Sequence, residues 1–249
     1  MARFAVLILA AGRSTRFGDE NYKKPFIPLA GRAVWMHSVE RFRGRADVCQ
    51  VIVVVSPDDR EDFERKNGAA LLFQNIELCT GGAERSDSVR AGLAAVGDEA
   101  THIAVHDAAR PCVTDAEIDR VFAAAAEGNA AILATPVAAT LKRAAPGDPP
   151  AIAETAPRDG LWAAQTPQVF ERKLFEQAIS QSDAEPVTDD AQLVERLGKP
   201  VMLVPGSTQN LKITTREDLA LAEAILTARE PAKSDKKPTR PFEDDDLWR

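Results

Sequence analysis

Short apolar runs recur along the chain: "RFAVLILAA" from Arg3, "CQVIVVVSP" from Cys49, "HIAVHD" from His102 and "AAILATPV" from Ala130. A strand with one wet face alternates apolar and polar residues, whereas a strand covered on both faces does not need to. These runs therefore predict strands buried on both sides of a parallel sheet. Amphipathic segments separate them, at about residues 34–43, 59–66, 86–96 and 115–127. The alternation predicts an α/β chain with a mostly parallel, doubly wound sheet and helices on both faces.

At 249 residues the chain can bury a sizeable core. The first apolar run is not read as a secretion signal. It is eight residues long, and Arg13 and Arg16 follow where a cleavage site needs small neutral residues. No run approaches the roughly 18–20 apolar residues of a membrane span. The net charge of −7 argues against a general nucleic-acid or membrane binder, although a local basic pocket can still take a small anion. Cys49, Cys79 and Cys112 are sparse and show no CxxC spacing, which predicts reduced thiols in a cytoplasmic protein.

The pattern changes after Pro136. Residues 137–169 hold five prolines, and "APGDPPA" is a turn-rich tip with room for a strand on either side. This predicts a β-arm leaving the sheet, and an arm of that kind suggests a homodimer. Helical patterns resume at 171–182 and 189–197, followed by "PVMLVP" and "NLKIT" as strands. A last helix runs over 216–228, with acidic residues in its first turn where they suit the dipole. Residues 1–229 are expected to form one domain. Residues 230–249 carry three prolines and many charges, and read as a disordered tail.

Ligands of parallel α/β sheets gather beyond the carboxyl ends of the strands, and several polar clusters fall there. Gly12 ends the first run and lets backbone N–H groups approach phosphate oxygens, while Arg13, Arg16, Lys23 and Lys24 add positive charge. Neither GxGxxG nor GK[ST] is present, so this is neither a dinucleotide fingerprint nor a P-loop. In "GGAERSDSV", paired glycines before Ser86, taken as an N-cap, mark a strand-to-helix turn against which a flat base could lie. In "VHDAARP", Asp107 can hold Mg²⁺ with waters and phosphates, and Arg110 can pair with a phosphate or brace the carboxylate; His106, on the opposite strand face, reads as structural. In "NLKIT", Leu211 and Ile213 share one face and Lys212 points the other way.

Taken in order, "LAAGRSTRF", "KPFIPLAGR", "GGAERSDSV", "VHDAARP", "ATLKR", "PRDGLW", "QTPQVF", "TDD", "NLKIT" and "REDLALAEA" resemble the 2-C-methyl-D-erythritol 4-phosphate cytidylyltransferase family of the non-mevalonate isoprenoid pathway. The resemblance implies a Rossmann-like nucleotidyltransferase fold with a protruding β-arm, a homodimer, CTP and Mg²⁺. It implies that Ala10, Ala11, Gly12, Gly81, Gly82 and Ser88 hold the cytidine part, and that Asp107 binds the metal. Arg16, Lys24 and Lys212 would be catalytic, meeting the charge of the triphosphate. Arg110, Thr140, Arg158, Thr166 and Thr188 would place the methylerythritol phosphate, some of them across the dimer. Lys24 is chosen by its register with "PFIPLAG", with Lys23 beside it as the other candidate. Ser14 stands where relatives often have a second glycine, and Ala83 where some have an acid. A ribitol phosphate cytidylyltransferase would read much the same. A non-catalytic nucleotide-binding regulator would not need Arg16, Lys24, Asp107 and Lys212 together.

Overall fold

The structure, a computed structural model, describes residues 1–12, 26–181 and 187–229. In chain order it opens with β1 (Phe4–Leu9), a small hairpin of β2 (Pro28–Leu29) and β3 (Arg32–Ala33), α1 (Val34–Glu40), β4 (Val48–Val55), α2 (Arg60–Phe73), β5 (Glu77–Thr80) and α3 (Arg85–Ala94). Then come β6 (His102–Asp107), α4 (Asp115–Gly128), β7 (Ala130–Pro136), β8 (Leu141–Ala144), β9 (Ile152–Ala156) and β10 (Trp162–Glu171). The chain continues with α5 (Arg172–Ser180), α6 (Ala191–Arg196), β11 (Met202–Pro205) and α7 (Arg216–Arg229).

The predicted buried strands form the middle of a seven-stranded sheet in the order β11-β7-β10-β6-β1-β4-β5. Only β10 runs antiparallel to its neighbours, β6 and β7. Residues Ala5 to Ile8 are each 0% exposed, so β1 is covered on both faces. Phe4, Val6 and Ile8 pack with Trp35, Val39, Phe42, Ile118 and Phe122, whereas Ala5 and Leu7 pack with Val89, Leu93, Phe175 and Val194. Helices α1, α2 and α4 thus cover one face, and α3, α5 and α6 the other. Each large aliphatic side chain buried in this way contributes about 1.5–3 kcal/mol. A third cluster joins α7 (Ala222, Leu226) to Ile27, Leu29, Cys112 and Ile213.

Helix ends follow local chemistry. Thr114 and Glu117 form a capping box at the start of α4, and Asn129 ends it in the left-handed conformation at φ 66°. Four expectations are corrected. Helix α2 continues through Gly68 to Phe73, because the following "AALL" supplies good helix formers and Leu71 reaches the core. Helix α3 starts after Glu84 rather than at a Ser86 cap; the Glu84 N–H bonds Asp87 Oδ2 at 3.2 Å.

The third correction concerns the excursion expected over 137–169. Its own strands, β8 and β9, form a separate two-stranded sheet with Ile152 exposed. Trp162–Glu171, in contrast, returns to the central sheet as β10. Its polar residues Gln165, Thr166 and Gln168 are buried but hydrogen-bonded, so the segment looks like a loop in the sequence although it is a core strand. "NLKIT" is also not a strand. Its Ile213 N–H makes an isolated bond to Ala109 O at 2.9 Å, and the apolar spacing of Leu211 and Ile213 reflects packing against the third cluster rather than a ladder. The expected tail, 230–249, lies outside the described residues. Among the described residues no helix is long and apolar enough to cross a membrane.

Candidate active site

Parallel register brings Leu9 level with both Val54 and Asp107, and Val55 level with Thr80. The segments after β1, β5 and β6 therefore open on one edge of the sheet. Strand β10 runs the other way, pairing Gln168 with Val105, so Gln165 and Thr166 arrive at that same edge beside Asp107. A cavity of about 280 Å³ lies there, lined by Asp107, Arg110, Thr166, Thr188 and Lys212 from the sequence-derived set. Arg85, Ala164, Gln165, Gln168 and Asp189 complete its wall.

Charge organises this corner. Lys212 Nζ lies 2.7 Å from Asp107 Oδ2, and Arg110 Nε lies 3.7 Å from the same oxygen. Burial pushes the Asp107 carboxyl up, but Lys212, Arg85 and Arg110 outweigh it and hold the group at about 2. Asp107 is therefore a carboxylate at neutral pH. Arg110 donates from Nη1 to Asn210 O at 2.8 Å and from Nη2 to Ala164 O at 3.5 Å, so most of its fork braces the backbone around the carboxylate. Arg85 makes a bidentate pair with Asp190, at 2.7 and 2.6 Å. His106 is fully buried against Phe42, and burial lowers its imidazole to about 4 although Asp107 pulls it the other way. It is neutral in the working range.

Lys212 sits on a pinned segment. Gly206 N–H bonds Ala134 O at 2.8 Å, Ser207 N–H bonds Glu117 Oε1 at 2.8 Å, and Asn210 Nδ2 donates to Thr166 O at 3.0 Å. Beyond it, Asp218 accepts from the N–H groups of Thr214 and Thr215, each at 2.8 Å. These bonds satisfy an irregular backbone and leave the lysine half exposed over the cavity.

The β5–α3 turn lies at the same edge. A Cβ on Gly82 would lie 2.3 Å from Asp87 Cβ, and one on Gly81 would lie 2.4 Å from Ser88 Oγ. These glycines let the turn close onto the start of α3, a packing role added to the room for a base expected from the sequence. Ser88 Oγ accepts from Gly82 N–H and donates to Glu84 O, both at 3.2 Å, so this hydroxyl is used within the turn. Ala10 is buried at the end of β1, and Gly12 is exposed beyond it.

Five of the expected residues thus share one cavity. Ala10–Gly12, Gly81, Gly82 and Ser88 lie at the same sheet edge without lining it. Thr140 and Arg158 are exposed at the base of the arm, where Arg158 Nη1 donates to Ala138 O, and they do not line it either. Arg16 and Lys24 lie outside the described residues. Arg85 and Asp190 were not expected at the site, nor were Gln165, Gln168 and Asn210. All five lie within or beside the motifs named above, but what brings them to the site is a partner in another element, such as Asp190 for Arg85 and Thr166 for Asn210.

Glycine-rich turns and a cation-lined cavity beyond the carboxyl ends of parallel strands define a nucleotide-using α/β transferase. A family model described as 2-C-methyl-D-erythritol 4-phosphate cytidylyltransferase matches residues 4–228. A protein of that description from Rhodopirellula baltica is 45% identical over 236 residues, covering 90% of this chain and 95% of its own. A crystal structure of the Thermus thermophilus protein of that description superposes with a TM-score of 0.74 at 32% identity, covering 91% of this chain and 100% of its own. One described as 4-diphosphocytidyl-2C-methyl-D-erythritol synthase gives a TM-score of 0.76 at 33% identity, over 91% and 99% of the two chains. The chain belongs to the 2-C-methyl-D-erythritol 4-phosphate cytidylyltransferase family.

Proposed function

We propose that the chain transfers the cytidylyl group of CTP to 2-C-methyl-D-erythritol 4-phosphate, giving 4-diphosphocytidyl-2-C-methyl-D-erythritol and pyrophosphate in isoprenoid biosynthesis. A phosphate oxygen of the acceptor attacks the α-phosphorus of CTP, and the bond to the pyrophosphate oxygen breaks. Both partners are anions, so positioning and charge neutralisation do most of the work and no nucleophilic side chain is needed. The acceptor phosphate, with a second pKa near ~6, is already largely ionised at neutral pH.

The observation that carries this reading is the placement of Lys212 and Arg110 around one buried carboxylate in the wall of a cavity of about 280 Å³. Lys212 meets the charge that builds on the α-phosphate, with Arg16 and Lys24 gripping the triphosphate. Ala10 to Gly12 and the turn of Gly81, Gly82 and Ser88 seat the cytidine. Arg110 and Thr188 face the acceptor. Asp107 offers one ionised hard oxygen, and among the described residues no three His, Cys, Asp or Glu side chains cluster into a cage. That donor set fits Mg²⁺, which keeps waters and takes further ligands from substrate phosphates. Asp107 would hold the ion, which when bound supplies neutralisation of phosphate charge.

Residues 1–229 act as one domain in this reading, with the tail outside it. The exposed arm, with Ile152 at 67% exposure, supports a homodimer in which Thr140 and Arg158 reach the acceptor in the other protomer's cavity. Pyrophosphate release from CTP and Mg²⁺, with methylerythritol phosphate against ribitol phosphate, tests the assignment. Release is expected with the first and not the second; no release with either would overturn it.

A further inference from the structure

The Thr166 hydroxyl carries one proton and meets two partners. Its oxygen lies 3.0 Å from the Asp107 N–H, which can only donate, and 3.0 Å from His106 Nδ1. The other ring nitrogen, Nε2, lies 3.2 Å from the carbonyl of Arg110, which can only accept. Nε2 must therefore carry a proton. The Thr166 oxygen already takes the Asp107 N–H, and Nδ1 is the acceptor that faces its proton. A single arrangement satisfies every group: Asp107 N–H to Thr166 Oγ, Thr166 O–H to His106 Nδ1, and His106 Nε2–H to Arg110 O.

These bonds hold both ends of the Asp107–Arg110 turn from behind. The turn also closes on itself through Arg110 N–H to Asp107 O at 3.0 Å. The Asp107 carboxylate emerges from it toward Lys212, and the Arg110 guanidinium toward Asn210 O. Thr166 is held in its turn by Asn210 Nδ2 on its carbonyl, which links the latch to the segment that carries Lys212.

We propose that His106 is a positioning residue that, through Thr166, fixes the turn aiming Asp107 and Arg110, and that the Thr166 proton is committed inward rather than given to the acceptor phosphate. Thr166, which lines the cavity, can then meet the acceptor only through its remaining oxygen lone pair. The kinetic part rests on the proposed cytidylyl transfer, whereas the hydrogen-bond order does not.

Long-range ¹H–¹⁵N imidazole spectra of the wild-type protein read the tautomer directly. A protonated Nε2 with a bare Nδ1 is expected, and a protonated Nδ1 overturns the latch. In kinetics, Thr166→Val and His106→Phe should each lower kcat ~10- to 100-fold, the scale of a displaced catalytic group, with the KM for methylerythritol phosphate nearly unchanged. The double variant should be no worse than the weaker single one, because both cut the same chain. Thr166→Ser should restore most of kcat. If His106→Phe fails to fold, His106→Leu takes its place: it neither donates toward Arg110 O nor accepts from Thr166. A KM increase of tenfold or more in Thr166→Val alone, or losses that multiply in the double variant, contradicts the proposal. A wild-type protein inactive on both polyol phosphates would remove the functional reading while leaving the tautomer result to decide the latch.

Discussion

Arg85→Met isolates the energetics of the pair that spans the cavity wall. The methionine keeps an unbranched apolar stem and removes the guanidinium. Both carboxylate oxygens of Asp190 are bound by Arg85, and the two side chains, arginine and aspartate, are 32% and 2% exposed. The Asp190 side chain is 2% exposed, on a backbone held by its N–H to Gln168 Oε1 at 3.0 Å, so water has little access to it. Removing the arginine therefore strands a buried carboxylate, at a cost of about 3–5 kcal/mol. Asp190→Asn is the milder change: Arg85, one-third exposed, can reach solvent, and the loss is ~1–2 kcal/mol. The double variant should recover much of the Arg85→Met loss, a coupling of ~2 kcal/mol. At roughly 2–4 °C per kcal/mol for a chain of this size, Arg85→Met lowers Tm by about 6–20 °C. Urea unfolding followed by circular dichroism measures all three variants. Burial already raises the Asp190 carboxyl against the pull of Arg85. Without Arg85 it rises further, so the penalty is absent below the ordinary carboxylate pKa near ~3.9 and grows as pH rises through the folded value. Equal losses for the two single variants, or an Arg85→Met penalty independent of pH, would refute the reasoning.

Three further outcomes are expected. Lys212→Ala should lower kcat ~100-fold or more while leaving the calorimetric Kd for CTP within a fewfold, since its charge is used mainly in the transition state; an unchanged kcat removes it from the site. Gly82→Ala should cost ~1–3 kcal/mol and raise the KM for CTP, because the new methyl meets Asp87 Cβ and the turn must open; wild-type Tm and KM would contradict the packing described. Asp107, held down to about 2, contributes stability that is complete above its ordinary value and lost as pH falls through about 2. Acid titration should therefore show the wild-type advantage over Asp107→Asn growing by ~2 kcal/mol between pH 2 and pH 4, and a constant difference would argue against the charge cluster.

The strands that the sequence shows best are those whose burial needs nothing but apolar side chains. Val51 to Val55 and Ala5 to Ile8 read as covered on both faces because they are. Strand β10 is illegible for the opposite reason: Gln165, Thr166 and Gln168 are buried by partners far along the chain, at Asn210, His106 and Asp190, and no local pattern announces such partners. "NLKIT" misleads differently, since two apolar residues spaced by one also arise when an irregular segment lays alternate side chains on a core. At the site, Asp107 and Lys212 are legible as chemistry, but their contact is not, because the chain passes through β7 to β11 before returning to meet the carboxylate. Arg85 gives no local signal because a charged residue in a first helical turn is ordinarily solvated, and its buried acceptor lies in another element.

The most direct test of cytidylyl transfer at this cavity is the fate of ¹⁸O placed in the non-bridging phosphate oxygens of methylerythritol phosphate. Mass and ³¹P spectra of the product should show the label in the diphosphate bridge, with pyrophosphate unlabelled and none released when the acceptor is omitted. Label found in pyrophosphate, or pyrophosphate released without acceptor, would contradict a direct attack of the acceptor phosphate on the α-phosphorus.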